Sequence, residues 1–431
     1  MVTNLQLLTA YSKKSTNPVY LPKYIQDIVD AQDADALAKL ADLDIKSQIN
    51  IYEPLLNAIS RDVIFDLTGG WDDNISRLFI RDANDMGEFT RMLCVDADET
   101  ENVEDDEMYS EDGDNSPFKG SAKPKIGVSY IETSYKKRWT VDKSVWELRR
   151  AFSNPYGFGE LASLILGSLQ VKAKIFLYKE TLTNLWKIKK EAVISPAKMT
   201  DQQSCLLQTG QIMTLAGEIK NITAGTKFND YGFRSTTNPN SLVFLVNLDQ
   251  SVATKINVNA SLLGFDRLGF GGLFRDVETY TSGESGDALG YIVDRDKYRI
   301  ELTVNETMAD VNGNRGYVRY TQHSWVKSGF NPAINGVKLV ATPSAPAVEI
   351  YNDENKALAC KAYPYAVNHS AVVVYTSDGT EPTKDSAQLG ADGIVPSFSK
   401  SKTYKFAVLI DEEGLEGLVS PIVTVTDGAI A

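Results

Sequence analysis

Residues 158–190 read FGELASLILGSLQVKAKIFLYKETLTNLWKIKK. The stretch holds no proline and is rich in Leu, Ala, Lys and Glu, so propensity and length predict one continuous helix over Phe158–Lys190. At about 1.5 Å per residue it would be roughly 50 Å long, well beyond the helices usual in a globular domain. Leu161, Ile165, Leu169, Ala173, Phe176, Leu177 and Trp186 form the apolar series, with Glu160, Lys172, Lys179 and Lys187 between them. One face is built for burial. By itself this stripe fits the core helix of a large enzyme as well as anything more specialised, and the flanks carry the decision.

Upstream, Asn154-Pro155 ends a shorter helix over Asp142–Phe152, with Asp142 as its N-cap and Val145, Trp146 and Leu148 as its apolar residues. Before it, GVSYIETSYKKRWTV (Gly127–Val141) alternates and is rich in Tyr, Thr and Val, which predicts a strand. Asp96–Asp114, DADETENVEDDEMYSEDGD, has no Lys or Arg and reads as a solvated, flexible loop. Arg77–Val95 is extended chain leading into another strand, so the two strands and the acidic loop make a protruding hairpin. Helical patterns precede it at Ala31–Leu43 and Ile51–Phe65, with a turn at Gly69-Gly70. Pro18 and Pro22 punctuate the first 30 residues, which read as an extended arm with little helix.

Downstream, Pro196 closes the long helix, and a helical pattern spans Cys205–Ile219. Turn-rich sequence leads to an apolar strand at Ser241–Asn247 and a short helix at Asp249–Asn257. Strands follow from Ala288 to Tyr320, and the sheet resumes at Gly336–Ala341. Thr342–Pro346 has the composition of a linker. Beyond it, AVEIY, ALACKA, AVVVYT, TYKFAVLI and SPIVTVT come at close spacing, the pattern of a small β-sandwich.

With 431 residues, a net charge of −13 and 43% hydrophobic residues, the chain suits two or three globular domains. The acidic balance argues against a grip on nucleic acid by phosphate neutralisation. Cys94, Cys205 and Cys360 are scattered and form no CxxC pair, which fits a reducing compartment. MVTNLQLLTAYSKK lacks the order of a signal peptide, and no segment reads as a membrane span. The expectation is folding in a cytoplasm, with no membrane.

No residue set announces chemistry. His323 and His369 are the only histidines and fall in different predicted domains, neither in a nucleophile context. No zinc spacing exists. Asp310-Val-Asn312-Gly-Asn314 starts like a calcium loop, but Arg315 stands where its glycine belongs and Thr321 where its Glu belongs, so a hairpin turn is the better account. Gly269-Phe-Gly271-Gly272 lacks the spacing of a dinucleotide loop. Catalytic, cofactor and metal residues are therefore read as none. The basic cluster Lys136, Lys137 and Arg138 and the pair Arg149 and Arg150 flank the long helix and are candidate intersubunit contacts; a merely solvated face is the alternative.

The element order resembles the major capsid proteins of tailed phages with the Hong Kong 97-type fold. It is most similar to the phi-twenty-nine type, through RWTVDKSVWELRRAFSNPYGF (138–158), NSLVFLVNLDQ (240–250) and LGYIVDRDKYRIELTVNETMADVNGNRGYVRYTQHSWVKSGFNPAINGVKL (289–339). YTSDGTEPT (375–383) with TYKFAVLIDEEGLEG is similar to chitobiase-like, immunoglobulin-type modules. The resemblance implies an α+β fold, followed by an all-β immunoglobulin-like sandwich. Its parts would be an arm with short helices (1–75), an extension-loop hairpin with the acidic insertion (76–141), and a peripheral domain carrying the spine helix (142–198 and 286–341). An axial domain (199–285) and the sandwich (346–431) complete it.

It further implies a non-enzymatic head protein without cofactors, assembled in a bacterial cytoplasm into hexamers and pentamers of an icosahedral virion shell. Its partners would be its own copies, scaffolding and portal proteins, and double-stranded DNA enclosed without sequence-specific binding. A surface adhesin or carbohydrate-binding protein, acting through the sandwich, is the alternative.

Overall fold

The computed structural model describes residues 3–13, 20–67, 75–81, 89–96, 126–198, 201–221, 227–234, 237–238, 240–257, 274–281, 288–312, 316–352, 358–412, 415 and 417–430. The acidic run beyond Asp96, the Gly69-Gly70 turn, the Gly269–Gly272 stretch and the tip of the Asp310–Asn314 turn lie outside them.

In chain order come helices α1 (Asn4–Ser12), α2 (Lys23–Asp30), α3 (Ala34–Lys39) and α4 (Ile45–Leu67), then strands β1 (Ile80–Arg81), β2 (Phe89–Val95) and β3 (Ile126–Ser144). Helices α5 (Val145–Ser153) and α6 (Gly157–Trp186), strand β4 (Glu191–Val193), helix α7 (Gln202–Lys220), strand β5 (Leu242–Asn247) and helix α8 (Leu248–Asn257) follow. Strands β6 (Asp276–Tyr280), β7 (Gly290–Asp294), β8 (Tyr298–Asn312), β9 (Tyr317–Phe330) and β10 (Gly336–Val340) come next. The tail holds β11 (Ala347–Asn352), β12 (Leu358–Tyr363), β13 (Val372–Thr376), β14 (Ala387–Gln388), β15 (Tyr404–Ile410), β16 (Leu418–Val419), β17 (Val423–Thr426) and β18 (Ala429–Ile430). Two compact units result. The first takes Met1–Thr90, Tyr130–Thr181 and Arg299–Gly329, and the second takes Arg91–Ser129, Leu182–Tyr298 and Phe330–Ala431.

In the first unit the arm is helical, against the expectation of extended chain. Thr3 and Gln6 form a reciprocal capping box that satisfies two orphan amides at the start of α1. Pro22 sits just before α2, where its missing N–H costs nothing. Asn4, 2% exposed, then fixes the arm in place. Its Nδ2 donates to the carbonyls of Ala151 (2.9 Å) and Asn154 (2.8 Å), and its Oδ1 accepts the Phe158 N–H at 2.8 Å. One side chain thus joins the end of α5 to the start of α6. Leu8, Ile25, Leu55, Phe152, Phe158, Leu161, Ile165 and Leu169 share the core beneath.

The shorter helix starts later than expected. Its N-cap is Ser144, in a capping box with Glu147, while Asp142 stays in β3 and pairs with Arg319. Helix α6 ends at Trp186, four residues before the expected Lys190. Three-residue bonds from Lys187 N to Asn184 O (2.8 Å) and Ile188 N to Leu185 O (3.1 Å) tighten and close it. By length and composition α6 is long and apolar enough to cross a membrane, which corrects the expectation that no segment is. Phe158, Leu161, Ile165 and Leu169 nevertheless pack into a protein core.

A five-stranded sheet runs in the order β1-β8-β9-β3-β2. Strand β3 lies antiparallel to β9 from Ser144 opposite Tyr317 to Thr133 opposite Lys327, with one register irregularity between Thr133 and Tyr135.

The second unit is built on the sheet β4-β10-β7-β5-β6. LVFLVN of β5 is buried at every position, as are β7 and β10, which explains why β5 reads as an unbroken apolar run instead of an alternating one. Ile212, Leu215, Ala216 and Ile219 of α7 pack on it. In the tail, β11 pairs with β12, and a second sheet runs β14-β13-β15-β17-β18 with β16 beside β15. Cys360, Val373, Tyr404, Phe406 and Val425 form its core.

The expected linker carries no regular structure, yet it is tied down. Fully buried Glu191 accepts the Ser344 N–H at 2.6 Å and its hydroxyl at 2.8 Å, with the Lys338 ammonium 3.8 Å away. The Glu191 backbone donates to Tyr365 O and accepts from Val367 N. The tail therefore continues the hydrogen bonding of β4.

Candidate functional site

The alternation of β3 sorts the predicted basic residues. Tyr135, Lys137 and Trp139 face α6: the Tyr135 and Trp139 rings lie 5.5 and 6.0 Å from that of Phe176, and the Lys137 ammonium sits 4.9 Å from the Phe176 centroid. Lys136 and Arg138 point to the opposite face. Lys136 lies 4.5 Å over the Trp325 ring, and Arg138 stands opposite His323 in the register. Lys172 of α6 then reaches the strand's backbone, donating to Thr140 O at 2.6 Å.

All four cations are exposed; among the described residues Lys136, Lys137 and Arg138 form no salt bridge, while Lys172 acts electrostatically on Asp142. The aromatic rings position their stems and tips while leaving the charge in water. Nearby carboxylates are already engaged. Asp142 receives both Arg319 Nε (2.8 Å) and Nη2 (3.0 Å), which holds its carboxyl below the usual range. Glu180 accepts the Tyr135 hydroxyl, and that bond pushes the phenol up to about 12. The result is a set of exposed cations on the two faces of β3, on an acidic chain.

Arg149 and Arg150 sit on α5 instead. Arg149 lies 5.4 Å over the exposed Trp146 ring with its Nε buried and unpartnered among the described residues, while Arg150 is exposed. The sequence reading missed Lys172. Its signal was the four-residue step to Phe176, which puts both on one helical face.

The second unit holds a cavity of about 410 Å³ lined by Leu206, Gly210 and Gln211 of α7 with Val367, Asn368 and His369. His369 Nε2 lies 2.8 Å from Glu218 Oε1, and its Nδ1 lies 3.1 Å from Lys227 Nζ. His323 sits in β9, as expected. YTSDGTEPT forms a turn: Gly379 takes φ +80°, and Asp378 Oδ1 accepts from both Thr380 N (3.0 Å) and Thr380 Oγ1 (2.6 Å). Among the described residues no group of three or more His, Cys, Asp or Glu side chains could hold a metal.

A family model described as Phi29-like phage major capsid protein matches residues 19–340. The chain belongs to that family. This major capsid protein is a structural, non-enzymatic subunit of the icosahedral head, located in the virion. Its fold mixes α-helices and β-strands, as the element order predicted. Family membership decides between shell subunit and adhesin in favour of the shell.

No curated protein sequence matches the chain. Among solved structures, a chain from the capsid structure of Staphylococcus phage Andhra is 10% identical with a TM-score of 0.43, over 64% of this chain and 84% of that one. A chain from the structure of head fiber and inner core protein gp22 of native bacteriophage P68 is 9% identical with a TM-score of 0.43, over 63% and 85%. A chain of Mycobacterium phage Che8 is 10% identical with a TM-score of 0.38, over 59% and 84%. At such values these likenesses add no weight to the family match.

Proposed function

We propose that copies of this capsid protein form the hexamers and pentamers of a closed shell around double-stranded DNA, and that Lys136, Lys137 and Arg138, joined by Lys172, form one of the contacts between copies. The observation that carries the contact is the absence of a salt bridge to Lys136, Lys137 or Arg138 among the described residues, on a chain of net charge −13. Such a cluster is complementary to the acidic surface of every neighbouring copy. Arg149, Arg150 and the exposed Trp146 form a second candidate patch. Charge reversal of Lys136, Lys137 and Arg138 to Glu should remove particles from electron micrographs of the lysate, with the thermal midpoint of the isolated subunit unchanged. Normal particle yield at physiological salt would overturn the contact.

In the same reading the hairpin of β2 and β3 is the extension loop, α6 is the spine of a peripheral domain (142–198 and 286–341), and 199–285 is the axial domain. Residues 346–431 form an immunoglobulin-like module, supported by two sheets around a shared core. Scaffolding and portal proteins are the further partners of the shell. A net acidic chain suits an inner wall along which DNA slides during packaging, since a basic wall would hold its phosphates. A strongly basic inner face in an assembled shell would count against this.

A further inference from the structure

We infer that the tail guards a sheet edge: residues 365–368 stand in for a further strand beside β4 and keep β4 from pairing with an extended strand of a second copy. Strand β4 is the terminal strand of the sheet β4-β10-β7-β5-β6. Its backbone groups turn alternately to either side. Lys190 O accepts from Lys338 N (3.1 Å) and Ile194 N donates to Val340 O (3.0 Å), both on β10, so Glu191 and Val193 present their N–H and C=O groups on the outer side. Such a row is a template for another chain unless something covers it.

The tail covers it first by backbone pairing. Ala366 bridges Glu191 in the parallel sense, with Glu191 N donating to Tyr365 O at 3.2 Å and Val367 N donating to Glu191 O at 2.8 Å. A continuing parallel strand would next offer its own peptide groups to Val193. The chain instead enters a turn at His369 and Ser370, and the Asn368 side chain takes over that role. Its Oδ1 accepts the Val193 N–H at 2.8 Å, and its Nδ2 donates to Val193 O at 3.0 Å. A primary amide can do both at once because it carries an acceptor and donors side by side, as the backbone does.

Glu412 fixes which way round that amide sits. Its Oε2 accepts from Asn368 Nδ2 at 2.9 Å, and its Oε1 accepts from Ser370 N (3.2 Å) and Ser370 Oγ (3.0 Å). A carboxylate only accepts, so Nδ2 and not Oδ1 must face it. Beneath these bonds Ala366 shares an apolar cluster with Val193, Val340, Val408, Ile410 and Leu415. The cover is therefore packed as well as bonded. Ser344, held by the Glu191 carboxylate, pins the start of the tail beside the same strand, so cover and edge belong to one chain.

The test uses the full-length subunit in solvent conditions under which the unaltered chain stays unassembled. Asn368→Ala removes the amide and opens the Val193 N–H and C=O. Hydrogen exchange at the Val193 amide should rise on the order of tenfold, the effect of losing about one hydrogen bond. Sedimentation velocity should then show oligomers that grow with protein concentration. Leu169→Ala, at a fully buried position of the first unit, controls for a general loss of stability and should give no such oligomers at a matched unfolded fraction. Adding Val193→Pro to Asn368→Ala should lower the oligomer fraction several-fold, because proline cannot donate to a ladder.

Unchanged exchange at Val193 would overturn the cover, and oligomers equally abundant in Leu169→Ala would overturn its protective role. Oligomers that survive Val193→Pro would place the association elsewhere and overturn it as well. Should Asn368→Ala fail to fold, Asn368→Gln, which keeps the amide but displaces it by one methylene, supplies the same comparisons.

Discussion

Helix α6 and strand β5 are both apolar stretches that sequence alone marks for burial, and the two units treat them differently. In the second unit β5 is buried at all six positions, with β7 and β10 equally enclosed and the tail bonded onto β4 through Glu191. In the first unit α6 buries Leu161, Ile165 and Leu169 but leaves Leu164 58%, Val171 55% and Ile175 52% exposed. These three stand seven and four residues apart, on one stripe of the helix. Lys172 follows Val171 directly in sequence. The central strands of the second unit and Glu191 are satisfied inside the subunit, whereas α6 of the first unit keeps an apolar stripe exposed.

The largest expected effect falls on the self-satisfied side. Glu191→Ala leaves the Ser344 donors and the Lys338 ammonium without their buried acceptor, and should cost about 3–5 kcal/mol in denaturant unfolding of the subunit. A loss below about 1 kcal/mol would show that the tail is not held through Glu191. The sharpest test of the contrast lies within α6 itself. Leu169→Ala, at a fully buried position, should cost about 2–5 kcal/mol. Val171→Thr and Ile175→Thr, on the open stripe, should change subunit stability by about 0.5 kcal/mol or less while lowering particle yield. Equal destabilisation by all three would erase the distinction.

The smallest effects concern pH, and two carboxylates of the first unit should respond in opposite senses. Arg319 holds the Asp142 carboxyl below its ordinary value. Its contribution is therefore present above the unfolded value, near about 3.9, and disappears as pH falls through the folded one. Burial raises Glu53 instead, with the Ala309 N–H bond opposing it. Its contribution is complete below its unfolded value, near about 4.3, and is lost as pH rises through the folded value. Melting curves between pH 2 and 7 should show a shallower acid loss for Asp142→Asn. For Glu53→Gln, the decline above about pH 4.3 should flatten.

Local signals made much of the fold legible. The Asn154-Pro155 break, the 3.6-residue stripe of α6 and the continuous apolar run of β5 each belong to a few neighbouring residues, so propensity and spacing are enough to read them. The arm was misread because its two prolines were taken as breakers, when Pro22 precedes a helix and Asn4 gains its role only from carbonyls about 150 residues away. The N-cap was misplaced for the same reason: Asp142 is engaged by Arg319 across the sheet, so Ser144 caps α5.

Of the candidate site, the charges of Lys136, Lys137 and Arg138 were visible, but their division between two faces of β3 and the addition of Lys172 were not. Composition and periodicity by themselves determined a large acidic chain with one very long helix, an acidic run, a mixed core and a β-rich tail, because these depend on residue type and short spacing. Which groups find a partner depended on register and on contacts between residues far apart in sequence. Only the tertiary structure could decide that Glu191 is satisfied inside the subunit while Lys136, Lys137, Arg138 and the stripe of α6 remain exposed.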